Sequence, residues 1–109
     1  MRRSKDDLYF GDAANKPVWA CLHHMFTLPK VVKVVVYGSY AKGTNRYDSD
    51  VDVAVFFDLP EADMLACYRE LVRICRIPEC DIQVQAFPAS ELASPCGIIE
   101  EIVTYGIEI

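Results

Sequence analysis

The chain has 109 residues, of which 52% are hydrophobic and 25% charged, and carries a formal net charge of −5. That length supports one domain with one core, and the composition is ordinary for a globular fold. The acid excess excludes a surface built for non-specific nucleic-acid binding, which needs Lys and Arg against phosphates, and no segment approaches the ~20 apolar residues of a membrane span.

Met1-Arg2-Arg3 begins like a secretory leader, but Asp6, Asp7 and Asp12 follow with no long apolar run, so a cytoplasmic location is expected. Five cysteines (Cys21, Cys67, Cys75, Cys80, Cys96) are an odd number without C-x-x-C spacing, which suggests neither a disulfide framework nor a zinc site. Most are expected to be small buried hydrophobes. Residues 1–14 are charged and mixed and read as an N-terminal arm, frayed or partner-bound; residues 15–109 read as the folded domain.

From Asn15 or Pro17 to Phe26, Val18, Trp19, Leu22, Met25 and Phe26 recur at helical spacing, and Leu28-Pro29 ends that helix. His23 and His24 are adjacent on it and so do not share a face; one surface and one partly buried residue are expected, not a metal pair. Val31 to Tyr37 is β-branched and stops at Gly38, as a buried first strand would. Ser39 to Lys42 predicts a short helical turn, Thr44 to Ser49 a polar loop, and Asp50 to Phe57 a second strand. Leu59-Pro60 opens a helix to about Arg76, with Met64, Tyr68, Leu71, Val72 and Cys75 on its apolar stripe and Arg69, Arg73 and Arg76 on a basic one. The basic stripe reads first as a solvated face and second as a partner contact. Asp81 to Phe87 predicts a third strand, with Asp81, Gln83 and Gln85 facing away from Ile82, Val84 and Ala86. A loop or turn from Pro88 to Pro95, a helix from Gly97 to Thr104 and a short strand from Ile107 to Ile109 close the chain. The expected fold is α/β (α+β): one small domain, a mixed sheet with helices packed on one face, and a polar strip of Asp50, Asp52, Asp81, Gln83 and Gln85 on the other.

Chemistry concentrates at Gly38-Ser39 and, ten residues on, Asp50-Val51-Asp52. Residues two apart on a strand share a side, roughly 6.5–7 Å apart at Cα, so Asp50 and Asp52 can converge on a divalent cation while Val51 and Val53 anchor the strand. Magnesium suits two hard carboxylates whose remaining ligands come from phosphate and water. Gly38 allows a phosphate close to the backbone, Ser39 offers a hydroxyl and N–H groups at a helix start, and Lys42 and Arg46 can neutralise phosphate charge. Asp81 can supply a third carboxylate, for a second metal or as a base. Tyr40 and Tyr47 can either stack on a base or brace the loop.

The pattern Gly38-Ser39-x10-Asp50-x-Asp52, within Tyr37-Gly-Ser-Tyr-Ala-Lys-Gly43 and Ser49-Asp-Val-Asp52, resembles the signature of minimal nucleotidyltransferases in the polymerase-β superfamily. The likeness continues through Asp81-Ile-Gln-Val and the segment from Ile98 to Ile109. The resemblance implies that Ser39 binds nucleotide phosphates, that Asp50 and Asp52 hold Mg²⁺ (two ions), and that Asp81 is the third carboxylate and base. Lys42 stands where relatives commonly carry Arg. It implies transfer of AMP from ATP to an acceptor hydroxyl with release of pyrophosphate. Larger relatives carry an acceptor-holding domain for which no residues are expected here, so the acceptor side is expected from another chain or a homodimer. That fits two-component systems in which such a domain is the antitoxin of a helical HEPN ribonuclease and adenylylates a toxin tyrosine. Two other readings stand beside it: a binding antitoxin with an idle site, and a transferase acting on a small molecule of the aminoglycoside type.

Overall fold

A computed structural model describes residues 3–109; Met1 and Arg2 of the expected arm lie outside the described residues. Four strands form one mixed sheet in the order β3-β2-β1-β4, with β1 at Val31–Tyr37, β2 at Val51–Phe57, β3 at Ile82–Pro88 and β4 at Ile107–Glu108. β1 is antiparallel to both β2 and β4, whereas β2 and β3 run parallel, as the helical crossover between them requires. The β-branched run of β1 fills a central position: Val34 and Val36 point to one face, Val35 and Tyr37 to the other, and all four are buried.

The principal helical layer covers one face. Helix α1 (Asn15–Met25) buries Val18, Cys21, Leu22 and Met25, one stripe at helical spacing, and α3 (Met64–Ile74) buries Met64 and Leu71. They pack with Val51, Val53, Val55 and Phe57 of β2 and Val84 of β3. Each fully buried Leu, Val or Met there contributes about 1.5–3 kcal/mol. The four-residue helix α2 (Ser39–Lys42) seats Tyr40 and Ala41 in the same cluster.

Helix α4 (Ile98–Tyr105) lies on the opposite face, where Ile99 and Ile102 join Val35, Tyr37, Ala54 and Phe56. That face is polar at Asp52, Gln83 and Gln85 and, towards β4, at Lys33 and Glu108, which pair at 3.2 Å; Ala54, Phe56 and Phe87 are apolar and need cover. The mixed α+β class is as expected, and α4 adds a partial second layer that walls one side of the polar strip.

Several local expectations shift. Leu8, Phe10 and Ala14, assigned to an arm, are core residues; Phe10 meets Tyr40 at 5.2 Å and Trp19 at 6.0 Å, and its N–H donates to Asn15 Oδ1 at 3.1 Å. Leu8 and Phe10 are buried while Tyr9 is exposed, an alternation too short to announce itself. The helix expected from Leu59-Pro60 starts as a 3₁₀ turn at Glu61–Asp63 and ends at Ile74, two residues before Arg76. Its apolar stripe passes through Cys67 and leaves Tyr68 exposed. Both His23 and His24 are exposed, as are Arg69, Arg73 and Arg76, with Arg73 3.6 Å from Glu70. Cys21 and Cys75 are buried, Cys67 and Cys80 half-buried, and Cys96 exposed. No helix among the described residues is long and apolar enough to cross a membrane.

Candidate active site

The site begins where β1 runs out. Tyr37 pairs across the sheet with Asp52, and the next residue, Gly38, turns the chain at φ 73° into α2. Only glycine adopts that conformation without strain. A Cβ on Gly38 would also collide with the Asp52 carboxylate. The turn and the second aspartate, distant in sequence, are therefore in contact through the missing side chain. Ser39 opens α2, and its carbonyl accepts the Thr44 N–H at 2.9 Å, which closes the turn behind it.

Asp50 stands just before β2 and is exposed; Asp52 lies two residues on, within the strand and half-buried. Burial raises the Asp52 carboxyl above the usual carboxylate range, and the negative charges of Asp50 and then Glu101 push it further. A half-buried strand carboxylate with a second, exposed one two residues before it suits a divalent cation.

Asp81 is exposed at the entry to β3, and its carbonyl accepts the Val51 N–H at 2.9 Å. Val51 pairs with Ile82, so the same register carried back one residue sets Asp81 beside Asp50. Asp50 and Asp81 line one cleft of about 300 Å³ with Tyr40, Tyr47 and Cys80; Asp52 does not line it. Among the described residues no three His, Cys, Asp or Glu side chains close into a metal-holding group. The structure thus joins Gly38 with Asp52, and places Asp81 next to Asp50 from the neighbouring strand, on a cleft that Asp52 does not line.

The expected cations behave differently. Lys42 is paired with Glu101 at 2.8 Å and lies 5.2 Å from the centre of the Tyr105 ring, both on α4. The Glu101 hydrogen bond and charge hold the Lys42 ammonium above its usual range. Arg46 sits in a closed turn, its N–H donating to Ser49 Oγ at 2.8 Å, with an exposed side chain. Tyr40 is core and so braces the turn, while Tyr47 is fully exposed.

Sequence reasoning missed three groups. Glu101 and Tyr105 carry no local signal, since they look like ordinary residues of a terminal helix. Arg3 is the third: its guanidinium lies against Gly43 at the end of α2, and it donates to the Asp7 carbonyl at 3.0 Å.

A sequence profile described as Polymerase beta, Nucleotidyltransferase matches residues 22–109. No curated protein matches the chain. Solved structures do. A toxin–antitoxin with AMP-PNP is 22% identical with a TM-score of 0.52, over 85% of this chain and 69% of that one. A candidate nucleotidyltransferase from Sulfolobus solfataricus is 15% identical with a TM-score of 0.57, over 86% of this chain and 75% of that one. A mutant of the toxin–antitoxin MntA-HpeT is 22% identical with a TM-score of 0.50, over 86% of this chain and 69% of that one. At such identities the likeness is one of fold.

Proposed function

The chain belongs to the polymerase beta nucleotidyltransferase family, and from that premise we propose that it transfers AMP from ATP to a hydroxyl on a partner protein, as the antitoxin of a toxin–antitoxin pair. The observation that carries the reading is the contact between the Gly38 turn and Asp52, with Asp50 just before the same strand. It sets a carboxylate that would hold a cation against the turn whose N–H groups would meet phosphate.

The donor chemistry fits magnesium: Asp50 and Asp52 offer hard oxygens, and burial, followed by the charges of Asp50 and Glu101, already raises the Asp52 carboxyl. Asp50 and Asp52 would hold the metal, with Asp81 able to assist from β3. Bound there, Mg²⁺ supplies neutralising charge for the triphosphate and the developing pyrophosphate. The chain does the rest. Gly38 makes room for the Asp52 carboxylate at the turn, Ser39 donates to the phosphates, and exposed Arg46 draws the anion in. The acceptor oxygen bonds to the α-phosphorus, pyrophosphate leaves, and the hydroxyl proton passes to Asp81. Positioning of the acceptor contributes much of the acceleration, so a partner that presents the hydroxyl is part of the enzyme. Toxin–antitoxin complexes among the structures of like fold support a toxin as that partner; the further reading, carried by the sequence resemblance alone, is a helical HEPN ribonuclease with an acceptor tyrosine, in the cytoplasm.

Labelled ATP, Mg²⁺ and host lysate provide the test, beside the Asp50→Ala/Asp52→Ala double variant. Label on a protein band that vanishes with the double variant is the expected result. Equal labelling by both proteins would defeat the metal assignment.

A further inference from the structure

Helix α4 brings two groups to one ammonium. Glu101 Oε1 lies 2.8 Å from Lys42 Nζ, and the Tyr105 ring, one turn further along α4, has its centre 5.2 Å away. Lys42 closes α2, one turn after Ser39, and its N–H donates to the Gly38 carbonyl at 3.1 Å. The nearest lysine to the phosphate turn is thus already compensated. The Glu101 charge also reaches Asp52, beside which Asp50 stands. A triphosphate arriving without a metal meets three carboxylates, Asp50, Asp52 and Glu101, and a lysine held in an ion pair.

We propose that Glu101 is a positioning residue that sets specificity by holding Lys42 in an ion pair a free nucleotide must break, so that the site favours a nucleotide arriving with a divalent cation. The inference rests on the nucleotidyltransferase reading above. Lys suits the part: its flexible stem lets the ammonium leave the carboxylate for a phosphate, which a bidentate arginine would resist. The Tyr105 ring keeps the ammonium parked over α4 until then. Both partners are roughly half-exposed, with side chains 41% and 39% accessible, so the pair is a modest gate.

The test is ATP affinity by calorimetry on the full chain, with all divalent metal chelated, for the wild type, Glu101→Gln, Lys42→Met and the double variant. Glu101→Gln keeps the side-chain shape and is expected to bind free ATP about two- to five-fold more tightly. Lys42→Met is expected to bind more weakly, and adding Glu101→Gln to it is expected to gain clearly less than the same change gains in the wild type. In Mg²⁺ the Glu101→Gln gain should shrink. No gain without metal, an equal gain with Lys42 replaced, or an equal gain in Mg²⁺ would each overturn the inference. Thermal melts confirm that the four proteins are folded, and Lys42→Gln replaces Lys42→Met should the latter unfold. Wild-type binding that ignores Glu101→Gln defeats this inference alone, whereas no ATP binding by any variant in either condition defeats the nucleotide reading with it.

Discussion

Gly38 and Asp52 are in contact by virtue of an atom that Gly38 lacks: the space its Cβ would take holds the Asp52 carboxylate. The turn is further restricted by its φ of 73° and ψ of −147°, a region essentially reserved for glycine. Gly38→Ala therefore faces backbone strain and a steric clash together. A loss of about 1–3 kcal/mol in urea unfolding is expected, with AMP transfer abolished because the carboxylate is displaced. A variant that unfolds at the wild-type midpoint would contradict both parts.

Asp52 is costly when no cation is present. Its folded-state pKa is raised, first by burial, then by Asp50 and Glu101. The sign follows from proton binding. With the folded pKa above the unfolded one, the folded state holds the proton over the interval between them, so stability falls as pH rises through it. Asp52→Asn removes the charge and keeps the shape. At neutral pH without metal it is expected to melt roughly 2–4 °C above the wild type, the shift about 0.5 kcal/mol gives a domain of this size after allowance for solvent screening. Added Mg²⁺ should raise the wild-type melting temperature and leave Asp52→Asn unmoved. Equal melting of both proteins without metal would remove the repulsion from the account.

Local periodicity reaches only some of these features. The β-branched run of β1 and the stop at Gly38 are set within a few residues, and each is where the sequence places it, whereas β2 begins at Val51 and leaves Asp50 just outside the strand. The contact of Lys42 with Glu101 spans 59 residues and depends on α4 crossing to the second sheet face. Nothing periodic announces that crossing; it follows from Ala54, Phe56 and Phe87 needing cover. Leu8 and Phe10 join the core from a charged segment because two alternating residues suffice to fill a gap beside Tyr40. Asp81 is legible as a strand-entry carboxylate, but parallel pairing decides that it neighbours Asp50 and not Asp52.

The two tyrosines of the loop region separate cleanly by burial. Tyr40 is 4% exposed and packs on Phe10, whereas Tyr47 is 100% exposed. Tyr40→Ala is expected to cost about 3–5 kcal/mol, as other large aromatic truncations in cores do. Tyr47→Ala should change stability by no more than about 0.5 kcal/mol. Urea midpoints of the two variants decide it, and a base-stacking role for Tyr47 would then show as weaker ATP binding without loss of stability.

The cysteines should label in order of their surroundings. Burial pushes the Cys75 thiol up to about 12, and the neighbouring Cys21 adds to the shift. Cys21 is itself raised by burial, and its thiol donates to the Ile74 carbonyl at 2.8 Å. The thiolate is the reactive form, so at pH 8 both stay inert while the fold holds. Cys96 is exposed and has no such protection. Iodoacetamide followed by peptide mass spectrometry is expected to modify Cys96 first in the native protein and to reach Cys21 and Cys75 only in denaturant. Early native labelling of Cys75 would mean that α3 opens readily from β2 and β3. That would in turn loosen the seat of Asp50 and Asp52, because Val51 and Val53 anchor their strand in the cluster that Cys75 helps to fill.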